Sequence, residues 1–209
     1  MIDNEGGNMI AIIDYGVGNL RSVQKAFEFL GYSAIVTNKP DEVIEASHVV
    51  LPGVGAFGNA MESLKRTDMI DTIFKVIKQG KPFLGICLGM QLLFDRSFEG
   101  GIHTGLQLIP GEIKKIPEKP GLKIPHMGWN KLTYSQNPLF EGLGNEPYVY
   151  FVHSYYLKTQ NTQYVIGTVN YGNEIPVAVN RNNIFGLQFH PEKSGNIGLQ
   201  IIKNFGGIR

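Results

Sequence analysis

Four short, predominantly apolar runs, Met9 to Ile13, Ala34 to Val36, His48 to Leu51 and Phe83 to Ile86, set the rhythm of the first half of the chain. They are too short for helices and apolar at successive rather than alternate positions, the pattern of strands covered on both faces. Between the first two lies NLRSVQKAFEFLGY, whose apolar residues recur at helical spacing and which closes on Gly31. That predicts a helix ended by a residue tolerant of left-handed backbone. Strands alternating with helices predict a parallel sheet flanked by helices.

After Phe94 the texture changes. LKIPHMGWNKL, PYVYFVHSYYL, QYVIGTVNY, PVAVN and IFGLQF read as antiparallel strands, and SGNIGLQIIKNF as a closing helix with Ser194 as its cap. The sequence therefore predicts an α/β fold: one domain with a mostly parallel central sheet and an added antiparallel portion. The opening MIDNEGGN is polar and glycine-rich, so residues 1–8 are expected to be a flexible extension and 9–209 the folded domain. The lysines of IKKIPEKPGLKIP read as a solvated loop or hairpin face.

Composition narrows the setting. A chain of 209 residues, 43% hydrophobic and 18% charged, can bury one substantial core. Its 19 basic and 18 acidic side chains leave a net charge of +1, too little field to gather nucleic acid or an anionic membrane. A single cysteine cannot form an internal disulfide, and no apolar run approaches the roughly 18 residues of a membrane span. Without a basic-then-apolar leader, the cytoplasm is the expected location.

The lone cysteine lies in PFLGICLGMQLLF, where a strand-like run meets a helix-like one. Gly85 and Gly89 flank Cys87 two residues away on each side, the spacing of a nucleophile elbow. A thiol at the start of a helix is also favoured as thiolate, and the Leu88 N–H would point to the same place as an oxyanion donor. Taken alone, the segment leaves open whether Cys87 is a nucleophile or a small buried side chain.

A thiol nucleophile needs a base. Of His48, His103, His126, His153 and His190, only the last has a distinctive neighbourhood: it follows FGLQF and precedes Glu192 by two residues. If the stretch is extended, as Pro191 favours, residues 190 and 192 share a side and the carboxylate can orient the imidazole. A third segment, VVLPGVGAFG, runs from a strand into a glycine-rich turn whose spacing does not fit a dinucleotide fingerprint. The Gly53–Val54 peptide there is a candidate second oxyanion donor.

Together these segments resemble the class I, triad-type glutamine amidotransferases. The matching marks are Pro52-Gly53, Gly85-Ile86-Cys87-Leu88-Gly89-Met90-Gln91 and His190-Pro191-Glu192, in the family's order. The resemblance implies a flavodoxin-like fold and hydrolysis of L-glutamine by Cys87, His190 and Glu192, with no metal or cofactor. It further implies that Gly53, Gly55, Gln91, Ser154 and Tyr155 hold the substrate and that Gly53, Val54 and Leu88 form the oxyanion hole. DYGVGNLRSV, LPGVGAFG, PHMGWN and VHSYY resemble glutaminase subunits that form a heterodimer with a (β/α)8-barrel synthase partner in histidine biosynthesis. On that reading Lys193, Trp129 and Asn130 face the partner near the ammonia exit. Glutaminases of pyridoxal phosphate, anthranilate or guanylate synthases, or a noncatalytic module of the same fold, are the rival readings.

Overall fold

The computed structural model describes residues 9–209; the extension expected over residues 1–8 lies outside the described residues. The four apolar runs form β1 (Met9–Ile13), β2 (Ser33–Thr37), β3 (His48–Gly53) and β4 (Phe83–Cys87). Helices α1 (Leu20–Phe29), α2 (Pro40–Glu45), α3 (Phe57–Arg66) and α4 (Met69–Lys78) connect them, and β4 runs straight into α5 (Leu88–Gln91). The second half supplies β5 (Arg96–Ser97), β6 (His103–Thr104), β7 (Glu112–Lys115), β8 (His126–Lys131) and β9 (Thr133–Tyr134). It continues through β10 (Tyr148–His153), β11 (Tyr155–Lys158), β12 (Val165–Asn170), β13 (Glu174–Arg181) and β14 (Ile184–Leu187) to α6 (Gly195–Gly206). Among the described residues no helix is long and apolar enough to cross a membrane.

The main sheet has eight strands in the order β2-β1-β3-β4-β14-β13-β12-β9. The first five are parallel and the last three antiparallel. Its two faces explain the unbroken apolar runs. In β1, Ile10 and Ile12 join the core beneath α1 and α6, with Phe27, Ile201 and Phe205. Ala11 and Ile13 join the core beneath α2, α3 and α4, with Val43, Phe57, Leu64 and Val76. Side chains alternate across the pleat, so a strand with two buried faces must be apolar at every position.

Two smaller sheets sit beside this platform: a ribbon of β8 and β10, and a four-stranded sheet ordered β11-β7-β5-β6. PYVYFVHSYYL, read as one run, is therefore two strands broken at Ser154, where the chain leaves the ribbon for the other sheet. The expected helix LGMQLLF is also shorter than its apolar spacing suggests. Leu92 and Leu93 leave the helix because their carbonyls accept the N–H groups of Leu106 and Leu108, each at 2.8 Å. Tertiary acceptors have displaced the next helical turn. Ser194 occupies the cap position of α6 without a capping bond. Its hydroxyl instead donates to the His190 carbonyl at 2.6 Å and accepts the Tyr150 N–H at 2.9 Å, tying the β10 backbone to the turn before α6.

The crossing of α5 over β3 is the tightest packing in the sheet. A Cβ added to Gly89 would collide with the Leu51 carbonyl oxygen, a backbone atom that cannot swing aside. Gly89→Ala is expected to destabilise the protein by at least about 3 kcal/mol, read as a lowered urea midpoint at unchanged slope.

Candidate active site

Ligands bind parallel α/β sheets at the carboxyl ends of the strands, and three such ends meet here. Register pairs Gly53 at the end of β3 with Cys87 at the end of β4, and Ile86 with Leu187 at the end of β14. Cys87 has φ 55 and ψ −112, a conformation costly for a residue with a side chain. Its neighbours make that backbone possible: a Cβ on Gly85 would lie 2.6 Å from the Gly89 carbonyl oxygen. Only glycine at both positions lets the turn close with the thiol projecting above it. Because α5 is a single turn, its dipole is weaker than that of the longer helix expected from sequence. As the first residue of α5, Leu88 carries an N–H with no acceptor inside the helix.

His190 follows β14, its N–H held by the Tyr150 carbonyl at 3.0 Å. Nδ1 lies 2.8 Å from Glu192 Oε1, and both side chains are buried. The pairing expected from strand alternation arises differently. Pro191–Lys193 is a 3-10 turn, closed by the Lys193 N–H to His190 O and the Ser194 N–H to Pro191 O, each at 3.0 Å. This tight turn, rather than extended backbone, folds Glu192 back onto the imidazole. His190 Nε2 is buried without a well-formed hydrogen bond, with the Cys87 sulfur beside it. Burial opposes a charge on His190, but Cys87 and Glu192 outweigh it and raise the pKa to about 9.

These groups open into a cavity of about 460 Å³. Val54, Gly55, Leu88, Gln91, Ser154 and Tyr155 also line it, so most of the expected binding residues are brought together. Gly53 lies directly behind: Tyr15 donates to the Pro52 carbonyl at 2.9 Å, and its hydroxyl would be 2.5 Å from a Cβ on Gly53. Burial, reinforced by the Cys87 charge, holds the Tyr15 hydroxyl protonated far above its ordinary range. Gln91 is buried rather than a solvent-facing helix residue; its Nε2 donates to Tyr155 O at 3.2 Å and Gln188 Oε1 at 2.8 Å.

Four lining or adjoining groups have no role assigned from sequence, although His126 and His153 lie in PHMGWN and VHSYY. Glu99 lines the cavity while its Oε2 accepts the Phe57 N–H at 2.8 Å, capping α3 from a distant loop. Gln188 touches Cys87 from β14's continuation. His126 and His153 face each other across the β8–β10 register at 3.0 Å. Both are held neutral, with pKa values lowered to about 4, in each case chiefly by burial. The remaining histidines are structural: His48 Nε2 donates to the Ile208 carbonyl, and His103 packs on Gly58. Of the expected partner-facing residues, Lys193 and Trp129 are exposed. Asn130, adjacent to Trp129 on a strand, points to the opposite face. Its amide is engaged with Asn170 O at 3.0 Å and His126 Nε2 at 3.4 Å.

A cysteine elbow, a buried His-Glu pair and a glycine-rich turn meet at the carboxyl end of the parallel sheet. The sequence model for glutamine amidotransferase class-I matches residues 11–206, and the chain belongs to that family. Among curated relatives it is 52% identical over 200 residues to the imidazole glycerol phosphate synthase subunit HisH of Moorella thermoacetica, covering 95% of this chain and 94% of that one. The subunit of the same name from Geobacter sulfurreducens is 49% identical over 206 residues, covering 96% and 99%. Among solved structures, PurLQS from Thermotoga maritima superposes with a TM-score of 0.75 at 19% identity, covering 95% and 97%. A further structure, described as a glutamine amidotransferase, gives 0.73 at 17%, covering 95% and 99%. At such identities the agreement is one of fold.

The histidines give stability a pH optimum. His190 has its pKa raised from 6.5 to about 9, so its contribution is full below about 6.5 and is lost as pH rises through 9. His126 and His153 are lowered from 6.5 to about 4, so theirs is present above about 6.5 and lost as pH falls towards 4. Urea midpoints measured across this range should peak near neutrality. Glu192→Gln should flatten the alkaline limb and leave the acid limb in place.

Proposed function

We propose that this chain hydrolyses L-glutamine to glutamate and ammonia and delivers the ammonia to a synthase partner that makes imidazole glycerol phosphate and AICAR in histidine biosynthesis. One observation carries the chemistry: a buried His190-Glu192 pair with its unpartnered Nε2 beside the Cys87 sulfur on a strained elbow. Relatives at about half identity over nearly their whole length support the assignment to that synthase rather than to another.

In this reading the Cys87 sulfur attacks the side-chain amide carbon of glutamine. The carbonyl oxygen becomes an oxyanion, met by the Leu88 N–H and the Gly53–Val54 peptide. His190 passes its proton to the amide nitrogen, the C–N bond breaks, and ammonia leaves behind a γ-glutamyl thioester. Water then attacks the thioester as His190 takes its proton, and the C–S bond breaks to release glutamate. Glu192 fixes the tautomer and balances the imidazolium charge. Gln91, Gly53, Gly55, Ser154 and Tyr155 hold the substrate's ends, with Glu99 an additional acceptor for its ammonium group.

The partner, a (β/α)8 barrel in a heterodimer, docks on the outer face of the β8–β10 ribbon. Met127 and Trp129 are 62% and 55% exposed there, and Trp129 meets Tyr150 edge-on at 6.1 Å. The Trp129 ring also lies near Gly195, two residues from Lys193, so the two expected contacts are neighbours on one surface. Such aromatic anchors carry much of an interface's binding energy.

A γ-electrophilic glutamine analogue should label Cys87 by mass spectrometry, and Cys87→Ser should abolish labelling; an adduct elsewhere would defeat the triad. His190→Asn should remove turnover, and Glu192→Gln should reduce it less. The isolated chain should be a poor glutaminase and gain about 10²–10³ in rate with the partner and its ligand, the value of one oxyanion donor. Trp129→Ala should weaken partner affinity by about 2 kcal/mol, measured calorimetrically. Lys193→Ala should let glutamine hydrolysis outrun synthase product formation.

A further inference from the structure

The amide of Gln188 can be oriented without choice. The Tyr155 carbonyl is only an acceptor, and two groups approach it: His153 Nδ1 at 2.8 Å and Gln91 at 3.2 Å. The Gln91 atom facing it must therefore be Nε2, the donor. The second hydrogen of that nitrogen runs 2.8 Å to Gln188, which must present Oε1. The other end of the Gln188 amide is then Nε2, and it lies 3.8 Å from Cys87 Sγ. Gln188 is 1% exposed, so no solvent competes for this amide.

The Tyr155 carbonyl also fixes the tautomers of the histidine pair behind it. With Nδ1 donating, neutral His153 offers Nε2 as acceptor to His126 Nδ1–H at 3.0 Å, and His126 Nε2 accepts from Asn130 at 3.4 Å. Every member of the chain is satisfied in one polarity only. His126 is further clamped between Tyr171 and Phe151, at centroid distances of 3.9 and 4.6 Å.

We infer that Gln188 is a functional donor to the Cys87 thiolate, aimed at the sulfur by the acceptor-only Tyr155 carbonyl acting through Gln91. Gln188 stabilises the sulfur's negative charge opposite His190 and holds the thiolate in one rotamer. The inference rests on the proposed role of Cys87 as nucleophile, but its test does not require glutamine.

The test is the rate of Cys87 alkylation by iodoacetamide across pH, in the full-length chain. Gln188→Leu should slow alkylation at neutral pH about tenfold, the effect of losing one hydrogen bond to a charged group, and the loss should vanish at high pH. Gln188→Met, near the native shape but without the donor, serves if the leucine variant does not fold. Gln188→Glu should be slower still, by placing an acceptor against the thiolate. Unchanged alkylation in both donor-free Gln188 variants would overturn the inference. The expected alkylation pattern in a protein that never hydrolyses glutamine would sink the glutaminase reading and leave the Gln188 contact standing.

Discussion

The crossing of α5 over the end of β3 is the constraint from which the site follows. Gly89 lies so close to the Leu51 carbonyl, and Gly85 so close to Gly89, that the backbone between them can pass only by forcing Cys87 to φ 55. A conformation that unfavourable persists only where surrounding packing over-determines it. Here two sets of packed side chains do so, one on each face of the parallel sheet, and the result is a mostly buried thiol held at the meeting point of three strand ends.

The second half of the chain brings the base to that thiol, and does so through backbone. The Tyr150 carbonyl and N–H hold His190 and Ser194 respectively, while Ser194 Oγ reaches back to the His190 carbonyl. The turn bearing His190 and Glu192 is thereby fastened to β10. The same strand presents Tyr150 beside Trp129 on its outer face and Phe151 and His153 on its inner face. One ribbon thus carries both the proposed docking surface and the clamp on the base.

Charge placement follows burial. His190 gains a proton because a carboxylate and a sulfur adjoin it, whereas His153, a short way off and equally enclosed, is denied one. Two imidazoles in one cavity wall are driven in opposite directions, His153 down chiefly by burial and His190 up because Cys87 and Glu192 outweigh its burial. Neutral His126 and His153 can then serve as fixed dipoles, a role a charged imidazole could not fill without an acceptor on each side.

Local pattern in the sequence was enough for the strands β1 to β4, the helix ended by Gly31, the elbow at Cys87 and the pairing of His190 with Glu192, because each is written within about ten neighbouring residues. Where local pattern and tertiary demand differed, the latter prevailed: LGMQLLF lost its second turn to the N–H groups of Leu106 and Leu108, and the 190–192 pairing came from a 3-10 turn instead of a strand. The contacts of Gln188, Glu99 and the His126–His153 pair were invisible in sequence. Their partners lie 101, 42 and 27 residues away, and periodicity carries no information about which distant side chains a fold will bring within 4 Å. The sequence by itself determined which residues could do chemistry; the packing of two sheets against one elbow decided which of them meet, since contact between distant positions is a property of topology and not of spacing.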